Sequence, residues 1–267
     1  MRTRPFWSDG LAIPAISLPG DDAARGPETL PLRPARLPRP VQGLVFDMGG
    51  VLYDDTVWRR WLLRVLGQLG LHTNYRSFYR LWDRQYLADV HRGAREFSAA
   101  FGEFLCSVGL SPAQIDEVQA ACQARRRSLE TSIRPLPCVK TTLARLHQSG
   151  LALAALTDSE YSSAVLTERL ERIGLGGLFD AVVSSIDLGH ARPDPECYLT
   201  AISRMRLSAR QTAFVGHDSE ELDGAAKVGM CTIAFNFDAD ARADVFIARF
   251  EQLSEVIDGP RSYAAAG

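Results

Sequence analysis

The stretch VQGLVFDMGGVLYDD, Val41 to Asp55, decides the fold. Val41, Leu44, Val45 and Phe46 make a short apolar run that stops at Asp47 and enters a glycine-containing turn. A continuous apolar run, as opposed to an alternating one, marks a strand covered on both faces, as in a parallel sheet. The first strand is therefore expected to end at Asp47, which puts a carboxylate at the strand's carboxyl edge.

Downstream of Pro135 and Pro137 the chain alternates. A helix is expected near 139–149, then the strand LALAAL ending at Thr157, a helix near 160–173 and the strand DAVVSS. A helix opened by Pro195 follows, then TAFV ending at Gly216, a helix from Ser219 to Val228 and the strand CTIAF. Strands alternating with such helices imply right-handed crossovers and a doubly wound, mostly parallel Rossmann-like α/β sheet.

Between the first strand and this alternation, Thr56 to about Glu130 changes to helical period. Trp58, Trp61, Leu62, Val65 and Leu66 share one face. Phe78, Leu81, Trp82, Tyr86 and Leu87 suit a second helix, Phe97, Phe101, Phe104 and Leu105 a third, and Pro112 opens a fourth. The segment reads as an inserted helical bundle able to cap the sheet's carboxyl edge. Its aromatic residues are expected in its core, and Arg125 to Arg127 on a solvated face. The expected organisation is a Pro/Arg-rich disordered leader over 1–40, a core over 41–55 and 135–258, a cap over 56–134 and a tail over 259–267.

Composition narrows the function. Thirty Lys and Arg against 32 Asp and Glu give a net charge of -2, so no global field draws the chain to nucleic acid or an anionic membrane. Five cysteines without CxxC spacing argue against a complete disulfide framework and for a reducing compartment. No apolar run has the length of a membrane helix or a secretory signal, so a cytoplasmic location is expected.

In open α/β sheets ligands bind beyond the carboxyl ends of the strands. The residues there are Asp47, Thr157, Arg192 after DAVVSS, and the run Gly216 to Glu221. A carboxylate can attack phosphorus to give an acyl phosphate that water then cleaves. A hydroxyl and backbone amides can hold the phosphoryl oxygens while a cation offsets the negative charge. Each residue also has a plain structural reading: Asp47 as a turn residue, Thr157 as a helix cap, Arg192 as a surface ion pair, and the acids after Gly216 as favourable charge at a helix N-terminus.

From Val41 to Phe235 the sequence resembles the haloacid dehalogenase superfamily, with four motifs in order. FDMGGVLYDD is similar to its first motif, LTDS to the second, SSIDLGHARPDPECY to the third and VGHDSEELDGAAKVGM to the acidic fourth. The resemblance implies Asp47 as nucleophile and magnesium ligand, with the Gly49 carbonyl as a second contact. Gly49, Gly50, Thr157, Asp158 and Arg192 are implied to surround the phosphoryl group, and Asp218 and Glu221 to complete the metal site. An inserted bundle is similar to the family's helical-cap subclass.

Three positions depart from the pattern. Gly49 stands where phosphatases of the family carry a second Asp, their general acid, which leaves Asp54, Asp55 or a cap residue to replace it. Arg192 stands for Lys. His217 aligns with the first acid of the fourth motif, which makes Asp218 the preferred ligand beside it. The leading expectation is a magnesium-dependent phosphatase acting on a small phosphorylated metabolite. The alternatives are carbon–halogen hydrolysis, which needs no acid at Gly49, and a catalytically weakened phosphate-binding regulatory protein. The cap can mediate a homodimer as readily as it closes over a ligand.

Overall fold

A computed structural model of the protein describes residues 36–71 and 75–258. Most of the leader and the whole of the tail expected from the sequence lie outside the described residues. Six parallel strands form one sheet: β1 (Gly43–Phe46), β2 (Ala152–Thr157), β3 (Ala181–Ser184), β4 (Thr212–Gly216), β5 (Cys231–Phe235) and β6 (Val245–Ile247). Their order is β3-β2-β1-β4-β5-β6. The chain leaves β1 in one direction to build β2 and β3, then crosses back to build β4, β5 and β6. The winding reverses at β1, and that is where a crevice opens beyond the strand ends.

The strands read as apolar runs because both faces are covered. All four residues of β1 are buried. Leu44 and Phe46 pack on one side with Val139, Leu143, Leu166 and Phe250. Val45 packs on the other with Tyr198, Ile202 and Phe214. These layers come from α6 (Val139–Gln148), α7 (Ser163–Arg172), α8 (Ser185–Leu188), α9 (Pro195–Arg204), α10 (Ser219–Lys227) and α11 (Gln252–Asp258). At the start of α9, Pro195 follows Asp194, whose carboxylate caps the helix by accepting the Glu196 N–H at 2.9 Å. Strand β6 and helix α11 were not expected. VFI is too short for its alternation to stand out, although Val245 and Ile247 are buried.

The insertion holds α1 (Thr56–Gln68), α2 (Tyr75–Trp82), α3 (Ala88–His91), α4 (Phe97–Ser107) and α5 (Pro112–Glu130). The second expected helix is divided: α2 and α3 are joined through a π-turn over Asp83–Leu87. The insertion has its own apolar core, in which Trp82, Phe101 and Phe104 are buried. The Trp82 and Phe101 rings meet edge-on at 5.6 Å. The chain returns to the sheet where the Leu136 N–H donates to the Leu52 carbonyl at 2.9 Å. The two ends of the insertion are thereby tied together. No helix among the described residues is long and apolar enough to cross a membrane.

Candidate active site

Strand register brings the distant motifs together. Phe46 lies beside Ala155 on one side and beside Val215 on the other. Asp47 and His217, which follow β1 and β4, and Thr157, which ends β2, therefore come together at the carboxyl edge. The loop after β1 is held by hydrogen bonds from the Gly50 N–H to the Tyr53 carbonyl and from the Leu52 N–H to the Met48 carbonyl, both 2.9 Å.

Asp47 is 3% exposed, and both its oxygens are engaged. Oδ1 accepts from Arg192 Nη1 at 3.0 Å and from the Met48 N–H at 2.8 Å. Oδ2 lies 3.3 Å from His217 Nε2. Burial alone would raise the Asp47 pKa, but Arg192, His217 and the Met48 N–H outweigh it and hold the carboxyl below its usual range. The group stays ionised, as a nucleophile requires.

Arg192 is the hub of the charge arrangement, with 4% of its side chain exposed. Nη1 is shared between Asp47 and Glu221, 2.9 Å from Glu221 Oε2. Nε lies 3.4 Å from Asp158 Oδ2, while Asp158 Oδ1 accepts the Arg192 N–H at 3.1 Å. Asp158, expected at the phosphoryl group, lines the cavity beside Thr157 and also fixes Arg192 from main chain and side chain together. Two carboxylates on one guanidinium nitrogen are incompletely neutralised. Burial, with Asp47 close by, pushes the Glu221 pKa up to about 8.

His217 rests on Gly50. A Cβ on residue 50 would lie 3.2 Å from the ring, and Gly50 has a φ of 69°, so glycine serves both the turn and the close approach. Burial would lower the His217 pKa, but the hydrogen bond to Asp47 and its charge raise it to about 9. Nε2 is the ring nitrogen nearest Asp47, 3.3 Å from Oδ2.

The four expected magnesium ligands, Asp47, Gly49, Asp218 and Glu221, do not form a coordination set. Asp218 caps α10, its Oδ1 accepting the N–H groups of Glu220 and Glu221 at 2.8 and 3.1 Å. Glu221 is turned to Arg192, and His217 stands against Oδ2 of Asp47. No group of three or more His, Cys, Asp or Glu among the described residues is arranged to hold a metal ion. Magnesium demands near-octahedral oxygen donors, and these residues as arranged do not fit it.

A cavity of about 340 Å³ opens from Thr157 and Gly49 toward the cap. Its cap wall includes Trp58, His91, Phe97 and Arg126. Arg126 corrects the expectation of a wholly solvated arginine run. It pairs with Glu160, donates to the Tyr161 hydroxyl at 2.8 Å and lies 4.2 Å from the centre of the Phe97 ring. A helix turns consecutive residues about 100° apart, so one of three adjacent arginines can face inward. No sequence motif singles out Arg169. It is 7% exposed, donates to the Tyr53 hydroxyl at 3.1 Å and pairs with Glu130. Its spacing with Leu166, Leu170 and Ile173 puts it on the apolar stripe of α7, which was the available signal.

Asp55, one of three candidates for the missing acid, stands directly over Gly49. A Cβ on residue 49 would lie 2.5 Å from Asp55 Oδ2. Asp55 is open to water at the cleft mouth, yet the protein packed around it, above all, raises its pKa, and Asp47 adds to the rise.

A family model described as haloacid dehalogenase-like hydrolase matches residues 41–229. A glyceraldehyde 3-phosphate phosphatase of Methanopyrus kandleri is 25% identical over 234 residues, 83% of this chain and 94% of that protein. Its counterpart in Methanocaldococcus jannaschii is 28% identical over 228 residues, 81% of this chain and 97% of that protein. A 2-haloacid dehalogenase of Pseudomonas syringae superposes with a TM-score of 0.55 at 22% identity, over 82% of this chain and 98% of that one. A Bacillus subtilis hydrolase solved with magnesium reaches 0.63 at 18% identity, over 82% of this chain and 100% of that one. At such identities the two structural likenesses speak to the fold alone.

Proposed function

The chain belongs to the haloacid dehalogenase-like hydrolases, and from that premise we propose that it hydrolyses a phosphoric monoester of a small metabolite through a covalent intermediate on Asp47. The carrying observation is a buried carboxylate at the sheet's switch point, held ionised by the guanidinium beside it, next to a cavity lined by Gly49 of its own loop and by Thr157 and Asp158. The phosphatase names of relatives that cover four-fifths of the chain favour this substrate class.

In the first step an Asp47 oxygen bonds to phosphorus while the bond from phosphorus to the ester oxygen breaks. Asp55 delivers a proton to the departing alkoxide. Water then attacks the acyl phosphate, giving its proton to Asp55, and inorganic phosphate leaves with Asp47 restored. Arg192 offsets the negative charge that gathers at phosphorus, and Thr157, which lines the cavity, binds a phosphoryl oxygen. Asp158 and Glu221 act through Arg192, holding its guanidinium against Asp47.

Phosphate release from an aryl phosphate and a panel of phosphorylated small metabolites, compared with Asp47→Asn, tests this. Release abolished in the variant supports it, and equal release from both proteins removes it. Gly49 favours a second reading, carbon–halogen hydrolysis, because a halide departs without a proton. Halide release from 2-haloacids by a protein inert to phosphate esters is its mark.

A further inference from the structure

The residues that line the carboxyl edge leave a divalent cation no coordination set and supply something else in its place. The oxygens of Asp47 are engaged by Arg192 and the Met48 N–H on one side and by the His217 ring on the other. The ring is seated by design of the loops on either side. Gly50 approaches it with no side chain between, and the Asn236 amide donates to the Gly50 carbonyl at 3.0 Å. The His217 carbonyl accepts the Asp238 N–H at 3.1 Å, fixing the backbone from which the ring projects. Asp218, the next residue, is committed to capping α10. A cation approaching Asp47 Oδ2 meets the His217 ring, 3.3 Å from that oxygen. Magnesium selects oxygen donors, and imidazole belongs with softer metals.

We propose that His217 takes the place of the divalent cation beside Asp47, so that this chain works without a bound divalent metal. In the family's fourth motif the aligned position carries an acid, which resemblance makes a metal ligand. Here the acid is replaced by a donor that approaches the nucleophile from the same side. Two nitrogen donors, Arg192 Nη1 and His217 Nε2, then flank the carboxylate and face the incoming phosphoryl oxygens. The proposal rests on the phosphatase reading only where activity is measured.

The full chain is studied by thermal unfolding and by calorimetric titration with magnesium chloride and manganese chloride, before and after treatment with EDTA. His217→Asp, which restores an acid, is studied in parallel. The expected result is a wild-type protein whose Tm is unmoved by either ion and by chelation, and a His217→Asp protein whose Tm rises with magnesium. Heat of binding or a rise in Tm for the wild-type protein with either ion overturns the proposal. So does a folded His217→Asp protein that gains no affinity for magnesium. If His217→Asp does not fold, the wild-type titration decides alone. Where phosphate release is detectable, it is expected to persist in EDTA, and its loss on chelation with recovery on adding magnesium overturns the proposal. A chain that hydrolyses no phosphate ester sinks the phosphatase reading, while the unfolding and titration results still judge His217.

Discussion

Gly49 and Asp55 share one space: a Cβ on residue 49 would come within 2.5 Å of Asp55 Oδ2 and 2.9 Å of its Cγ. The missing side chain at the family's general-acid position is therefore matched by a carboxylate arriving from six residues further along the same loop. A positioned acid contributes about 10²- to 10⁴-fold to proton transfer in the transition state. Asp55→Asn is expected to lower kcat by that order on an alkyl phosphate. On p-nitrophenyl phosphate, whose leaving group departs without help, the loss should be much smaller. Equal losses on both substrates would assign Asp55 a structural role only.

Exclusion between the two positions gives a second prediction. Gly49→Asp alone forces two carboxylates together beside Asp47, so activity and Tm should both fall. Combining it with Asp55→Gly empties the contested space and returns an acid to the aligned position. The double variant is expected to recover Tm and a measurable part of kcat relative to either single variant. A double variant no better than the sum of the two losses would show the positions to be independent.

Arg192 carries the heaviest structural load at the site. Removing one partner of a buried ion pair typically costs about 3–5 kcal/mol, because the remaining charges stay buried without compensation. Arg192→Met leaves Asp47, Asp158 and Glu221 in that condition and is expected to cost stability of this order in urea unfolding. Arg192→Lys keeps the charge. A single ammonium cannot reproduce the separate Nη1 and Nε contacts to the three acids. Its expected loss of stability is smaller, with kcat reduced and substrate KM raised, a split that steady-state kinetics reads directly.

The motifs were legible where chemistry sits at the end of a regular element. Asp47, Thr157 and the segment after Gly216 each follow an apolar strand, and the parallel register gathers them without any further information. What escaped the sequence depends on loop path and on rotamer. Asp55 meets Gly49 only because the Met48 to Tyr53 turn folds back on itself. Asp218 and His217 are neighbours in sequence, yet one turns into the helix as its cap and the other faces Asp47. Arg126 is one of three consecutive arginines, and nothing in the run itself selects the one that faces the cavity. Strand β6 has only three residues and no periodicity to read.

The His217–Asp47 contact also fixes how stability responds to pH. In the unfolded chain a histidine titrates near 6.5, whereas His217 in the folded protein titrates at about 9. Between these values the folded state holds a proton that the unfolded state has released, so raising the pH favours unfolding. The contribution is complete below the unfolded pKa and is lost as pH rises through the folded one. Glu221, with its carboxyl raised to about 8, adds a loss of the same sign that finishes earlier. Buried Cys122, Cys197 and Tyr53, whose pKa values are also raised, add losses of the same sign at higher pH, so the share that belongs to His217 is the difference between wild type and His217→Gln. Wild-type Tm is expected to fall through this interval, and His217→Gln to flatten it. In Asp47→Asn the largest contribution opposing burial is gone, leaving only the charges of Glu221 and Asp55 against it, so the His217 pKa should drop, a change visible in its ring proton resonances. An unchanged His217 titration in Asp47→Asn would mean that something other than Asp47 holds the proton on the ring.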